Sequence, residues 1–203
     1  KMLTGLLPFS EGEDWLLGKP VDPTDMAIRM RVGYMSQSFS LYSELTVRQN
    51  LALHAKLFQL PAEQSAERID ELLTQFNLQA VADSLPLSLP LGVRQRLSLA
   101  VAVIHKPEVL ILDEPTNHLD IRHQLEVLRL IRGLGPTIVT SLHDLNMAAE
   151  YADTLLMLAG GYTMAYGPAN KVLTAPLIKQ GFGVQAEVQS LHPSGHTRLT
   201  FHL

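Results

Sequence analysis

Apolar residues run without interruption from Val109 to Leu112, and a polar, turn-forming stretch follows, Asp113-Glu114-Pro115-Thr116-Asn117-His118-Leu119-Asp120. Four aliphatic positions with no alternating polar residue suit the central strand of a parallel sheet, covered on both faces. Arg31-Val32-Gly33-Tyr34-Met35 reads as a second strand that exits into Ser36-Gln37-Ser38, and Pro136 to Leu142 as another buried strand, ending in His143-Asp144. Between these strands the period is helical. Val47, Leu51, Leu53, His54, Leu57 and Phe58 recur at helical spacing behind Thr46, a cap residue. Pro61 opens a second helix, with Ile69, Leu72, Leu73 and Phe76 on one face and Glu63, Glu67, Arg68, Asp70 and Glu71 on the other. Two helices with no strand between them predict a separate helical lobe.

Pro86 and Pro90 make Ala82 to Pro90 a loop, after which Gly92 to Ile104 resumes a helix whose apolar side is Leu97, Ala100, Val101 and Ile104. Ile121 to Arg132 is amphipathic. Asp144 is placed to cap a helix running through Leu145, Met147 and Ala148. Leu155 to Ala159, Gly160-Gly161 and Tyr162 to Tyr166 read as a hairpin. Near the N-terminus, Lys1-Met2-Leu3-Thr4-Gly5-Leu6-Leu7-Pro8 reads as the end of an apolar helix, and Gly12 to Val21 as a short strand and turn around Trp15-Leu16-Leu17. The last stretch predicts short helices near Asn170-Leu173 and Pro176-Gln180 and strands at Val184-Leu191 and Thr197-His202, an appendage. Helix and strand alternating through the middle of the chain predict an α/β fold with a parallel sheet and right-handed crossovers.

With 203 residues the chain can bury a full core, and 46% hydrophobic with 18% charged residues is ordinary for a globular domain. A formal charge of −4 gives no broad basic surface, so nothing points to nucleic acid. There is no cysteine, hence no disulfide framework and no thiolate metal site, which fits a reducing cytoplasm. The longest apolar run, Leu97 to Ile104, is far too short to cross a bilayer. Membrane association is therefore expected only through a partner protein.

An Asp then a Glu leaving a buried strand can divide the labour of metal-assisted phosphoryl transfer, Asp113 orienting a magnesium ion and Glu114 polarising an attacking water. In open α/β sheets ligands gather at that strand end. The plain alternative is a strand that ends in a charged turn. Gln37 sits at a strand end as Asp113 does. Arg94 and Arg96 near a helix start oppose the helix dipole unless an anion or acidic partner lies close, solvated arginines being the other reading. His192, His196 and His202 have no acidic or thiol companions at fixed spacing and read as surface histidines.

On these residues the chain resembles the nucleotide-binding subunits of ATP-binding cassette (ABC) transporters over nearly its whole length. Val109-Leu110-Ile111-Leu112-Asp113-Glu114 looks like the Walker B strand with its catalytic glutamate. Asn117-His118-Leu119-Asp120 looks like the D-loop, Tyr34-Met35-Ser36-Gln37 like the Q-loop, and Thr140-Ser141-Leu142-His143-Asp144 like the switch region with its H-loop histidine. The resemblance implies a P-loop NTPase-type core at residues 1–41 and 105–170, an inserted helical signature subdomain at 42–104, and a C-terminal appendage at 171–203. It implies ATP and Mg2+ as cofactors, Gln37 and Asp113 at the magnesium, Glu114 as catalytic base, and His143 at the γ-phosphate. A second ATP-binding cassette would complete the site, as homo- or heterodimer, and the helical lobe would dock on a transmembrane permease. The chain would then lie in the cytoplasm, peripheral on the inner face of the cell membrane, with no segment inserted.

Two departures from the family pattern alter these expectations. No Gly-x-x-x-x-Gly-Lys-Ser/Thr occurs, and the only Gly-Lys pair, Gly18-Lys19, precedes Pro20, so the loop that holds the β- and γ-phosphates is missing. Lys1 to Gly5 resembles the end of the helix that follows such a loop; the chain is thus expected to be truncated there and to bind ATP poorly or not at all. Where the family has Leu-Ser-Gly-Gly-Gln, this chain has Leu89-Pro90-Leu91-Gly92-Val93, ahead of a well-matched Arg94-Gln95-Arg96. Pro90 offers neither hydroxyl nor N–H to a phosphate. The two halves also resemble different branches: Tyr34 to Leu60 and Leu89 to Ala102 look like drug-exporter and ribosome-associated cassettes, and the part from Asp113 onward looks like iron–siderophore and cobalamin importers. The leading expectation is an ABC-type ATPase driving a permease, in iron–siderophore import or drug-type export. The alternatives are a cassette remnant that pairs without hydrolysing and a ribosome-associated ABC ATPase.

Overall fold

Among the described residues, three parallel strands, each entering from the same side, form the central sheet. The computed structural model describes residues 11–22, 24–37, 40–191 and 195–202. The helix end read over Lys1 to Pro8, the polar exit at Ser38 and His192 lie outside the described residues. Those that are described form two compact units, divided between Ser141 and Leu142.

The first unit opens with β1 (Trp15–Leu16) and β2 (Lys19–Pro20), an antiparallel pair whose turn residues Leu17 and Gly18 have φ of 54° and 76°. Helix α1 (Met26–Arg29) is capped by the Asp25 carboxylate, which accepts from the Ala27 and Ile28 amides. Strand β3 (Val32–Met35) follows. The helical segment is α2 (Val47–Leu57), α3 (Ala62–Gln75) and α4 (Leu91–Ala102), with single 3-10 turns at Gln79–Val81 and Pro86–Ser88 between the last two. Thr46 caps α2 in a reciprocal arrangement: its hydroxyl accepts from the Gln49 amide while the Gln49 side chain accepts from the Thr46 amide. Asn50, fully buried, accepts from the Tyr42 amide and donates to the carbonyls of Tyr42, Leu45 and Thr46, which fixes the entry into α2. Helix α2 packs on α3 and on α4.

Strand β4 (Val109–Leu112), helix α5 (Ile121–Arg132) and strand β5 (Thr137–Thr140) complete this unit. The strand order is β3-β4-β5, all parallel, with Val32 opposite Val109 and Leu112 opposite Thr140. All four residues of β4 are buried, as a strand with a neighbour on each side should be. Two expectations are corrected. Strand β5 is not buried: it pairs with β4 alone among the described residues, its residues alternate between exposed and half-buried, and Val139 is 47% exposed. Helix α4 has no single apolar side and ends at Ala102, before Ile104; Gly92, Gln95 and every residue from Leu97 to Ala102 are buried, which an all-round covered helix requires. Gly33 is obligatory in β3, because a Cβ there would overlap the Ala102 carbonyl oxygen and lie 2.8 Å from Leu110 Cδ1.

The second unit comprises α6 (Leu145–Tyr151), the hairpin of β6 (Leu155–Ala159) and β7 (Tyr162–Gly167), α7 (Ala169–Val172), α8 (Ala175–Phe182) and the antiparallel pair β8 (Gln185–Ser190) and β9 (Thr197–His202). Asp144 caps α6 through the Asn146 and Met147 amides. Met157, Val172, Leu173, Ile178 and Leu199 form its core. Asn146 ties α6 to β9 by bonding both the amide and the carbonyl of Leu199, at 2.7 and 3.2 Å.

Candidate active site

The parallel register brings three strand exits to one edge of the sheet. Met35 lies opposite Leu112 and Leu112 opposite Thr140, so Ser36-Gln37, Asp113-Glu114 and Ser141 leave the sheet at the same level. The ladder runs one step further than the strands, with Asp113 N–H donating to the Met35 carbonyl at 2.9 Å and Ser141 N–H to the Leu112 carbonyl at 3.1 Å. Those bonds set Asp113 and Ser141 on the rim as rigidly as the strands themselves.

Glu114 is the hub. Its carboxylate oxygen Oε2 accepts from Gln37 Nε2 at 2.7 Å and from Asn117 Nδ2 at 2.9 Å, so the exits of β3 and β4 and the turn after β4 converge on one group. Its backbone has φ 53°, a left-handed conformation that costs a residue with a Cβ about 1–2 kcal/mol. Its N–H donates to Ser141 Oγ at 2.9 Å, and Ser141 Oγ is 3.3 Å from Asp113 Oδ1. Tyr34 on β3 feels the same corner: burial first, and the Asp113 charge second, push its phenol above the ordinary value.

The turn that follows is equally constrained. His118 has φ 60° and is exposed, Leu119 is buried, and Asp120 caps α5. The Asp120 carboxyl is held below its ordinary range by the His123 amide and then by the His123 ring, whose Nδ1 lies 2.8 Å from Oδ2. That ring covers Gly92 of α4, where a Cβ would approach its Cδ2 to 2.5 Å. One turn further along α4 the buried Gln95 amide donates to the Pro115 carbonyl. The start of α4 is thereby keyed to the turn that carries Glu114.

Of the signature-like residues, Leu89 is buried, Pro90 is the exposed N-cap of α4, and Leu91, Gly92 and Val93 form its first turn. No side chain caps this helix; its start is closed by the Pro90 carbonyl, which accepts from the Val93 and Arg94 amides. Arg96 reaches Glu126 of α5 at 3.4 Å, and Glu126 also binds Arg122 at 3.0 Å. His143 is exposed and precedes α6 in the second unit. Among the described residues no group of three His, Cys, Asp or Glu could hold a metal ion.

The fold thus gathers Gln37, Asp113, Glu114 and Asn117 into one cluster. Ser141 joins them, a residue the sequence pattern did not single out as chemical; its signal was positional, since it is the first residue beyond β5 as Asp113 is beyond β4. The donor set suits magnesium, a hard cation that takes one or two protein carboxylates and fills its remaining positions with water and phosphate oxygens. Asp113 would supply a carboxylate to such an ion, and Gln37, whose Nε2 is taken by Glu114, has its amide oxygen to offer.

Residues 1–117 match the family model described as ABC transporter. The chain is 34% identical over 212 residues to the Nod factor export ATP-binding protein I of Neorhizobium galegae, covering 97% of this chain and 61% of that one. It is 32% identical over 197 residues to the petrobactin import ATP-binding protein FpuC of Bacillus anthracis, covering 93% and 72%. Among solved structures, cbiO1 of Clostridium perfringens, part of the ABC transporter complex cbiONQ, shares the fold with a TM-score of 0.76 at 27% identity, over 88% of this chain and 74% of that one. The chain spans only 33% to 61% of the length of several relatives of comparable identity. No helix among the described residues is long and apolar enough to cross a membrane.

Proposed function

From the premise that the chain belongs to the ABC transporter family of ATP-binding proteins, we propose that it supplies the water- and metal-orienting half of an ATPase that drives transport through a membrane permease. The observation that carries this reading is the convergence of Gln37 and Asn117 on the Glu114 carboxylate, beside Asp113, at the carboxyl ends of parallel strands. Glu114, acceptor of two amide bonds, holds its carboxylate in one orientation and takes a hydrogen bond from the attacking water, drawing electron density onto its oxygen. Asp113 and Gln37 hold the magnesium site, and bound Mg2+ would neutralise charge on the phosphate oxygens. His143 would contact the γ-phosphate of bound ATP, and Asn117 to Asp120 would face a second ATP-binding cassette. Residues 42–104 form the lobe that docks on the permease, residues 1–41 and 105–170 the nucleotide-binding core, and 171–203 an appendage. The chain works at the inner face of the membrane through that partner.

A second reading has its own support: Pro90 stands where a serine would meet phosphate, as in a cassette that pairs with a competent partner without hydrolysing. The readings part on ATP turnover by a version of the chain joined to a phosphate loop, which the first expects and the second does not. In that joined version, Glu114→Gln should abolish turnover and leave ATP binding intact; unchanged turnover would remove Glu114 from the chemistry.

A further inference from the structure

Glu114 holds a left-handed backbone that residues with a Cβ avoid, on a rim where nothing in the sequence demands it. The Ser141 hydroxyl sits where it can hold that geometry. Ser141 Oγ accepts the Glu114 N–H at 2.9 Å and lies 3.3 Å from Asp113 Oδ1, so its own proton is donated to that carboxylate. The strand register makes this possible, because Thr140 lies opposite Leu112 and Ser141 falls one step beyond, level with Asp113.

We infer that Ser141 is a positioning residue for the Asp113 and Glu114 pair, one hydroxyl fixing both acids at once; the inference rests on the roles proposed above for those acids. By taking the Glu114 N–H it turns that backbone so that the carboxylate meets Gln37 and Asn117. By engaging Asp113 Oδ1 it marks Oδ2 as the oxygen for a hard cation. Alanine at this position leaves the N–H and the carboxylate without the hydroxyl. Threonine keeps the hydroxyl, and its branched side chain is at home at a strand end.

Ser141 is exposed, so its replacement leaves the core intact. The test is amide-proton NMR on this chain, with no nucleotide needed, comparing the parent, Ser141→Ala and Ser141→Thr. In the alanine variant the Glu114 amide proton should move upfield and exchange about fivefold faster, the fold-change of one hydrogen bond; in the threonine variant both should return to within about twofold of the parent. An alanine variant with the parent's shift and exchange, or a threonine variant as perturbed as alanine, overturns the proposal. Its failure is distinct from failure of the ATPase reading. If Glu114→Gln leaves turnover unchanged while Ser141→Ala shows the exchange effect, Glu114 loses its catalytic role and the hydroxyl bridge stands.

Discussion

Replacing Gln95 by leucine tests whether the start of α4 is held to the Glu114 turn by a buried hydrogen bond. Gln95 is 6% exposed, Pro115 is buried, and the Gln95 amide is the donor that satisfies the Pro115 carbonyl. Leucine fills nearly the same volume but leaves that buried carbonyl without a partner, at a cost of about 2–3 kcal/mol, the upper part of the range for an orphaned acceptor. The extra apolar burial returns about 1 kcal/mol, so a net loss of about 1–2 kcal/mol is expected. In a chain of this size that is a fall in Tm of about 2–8 °C. Gln95→Glu should be worse, about 3 kcal/mol or more, since a buried carboxylate would face a carbonyl oxygen. Urea unfolding followed by far-ultraviolet circular dichroism measures both. A leucine variant within about 0.5 kcal/mol of the parent, or a glutamate variant more stable than the leucine one, would refute the reasoning; the first result would mean that the contact contributes nothing net to the first unit.

Asn50→Ala removes one acceptor and three donated bonds from a fully buried site and should cost about 2–4 kcal/mol in the same urea assay, with a loss under about 1 kcal/mol counting against the network. Pro90→Ser adds a capping hydroxyl worth about 1 kcal/mol and frees the unfolded chain by about 0.4–1 kcal/mol, so stability should hardly change; in a loop-bearing chain the ATP turnover should nevertheless rise, and no rise would clear Pro90 of weakening the site. His105, stacked on Phe58 at 3.6 Å, is pushed down to about 4 by burial, although its bond to the Val32 carbonyl works the other way. Its folded value lies below the unfolded one near 6.5, so the unfolded chain binds the extra proton and stability falls as pH drops from about 6.5 towards about 4. His105→Phe should flatten that fall in urea midpoints between pH 7 and pH 5, and an equally steep fall would exonerate His105.

Much of the fold was legible because the deciding signals are local. Asp120 and Arg132 bracket α5 with a cap and a basic last turn, Thr46 and Asp144 cap α2 and α6, and the unbroken Val109 to Leu112 run belongs to the strand that, among the described residues, has a neighbour on each side. Exposure of β5 was not legible, because Ile138 and Val139 are apolar whether or not another strand pairs beside them. The site was legible as residue types, Asp113 and Glu114 after a buried strand and Gln37 after another, but not as contacts. The bonds of Glu114 to Gln37 and Ser141 span 77 and 27 residues of sequence and depend on register. The packing of His123 over Gly92 depends likewise on how α4 and α5 cross, and the left-handed backbone of Glu114 has no sequence signature, since glutamate is not a residue that favours it.

The most direct measurement is steady-state phosphate release from ATP and Mg2+ by the chain alone, by the chain joined to a Gly-x-x-x-x-Gly-Lys-Ser/Thr loop, and by the joined form carrying Asp113→Asn. Turnover only in the joined form, lost in Asp113→Asn, is the result expected if this rim of Gln37, Asp113 and Glu114 orients metal and water. Equal release by the joined form and its Asp113→Asn variant, or none from any of the three, would contradict it.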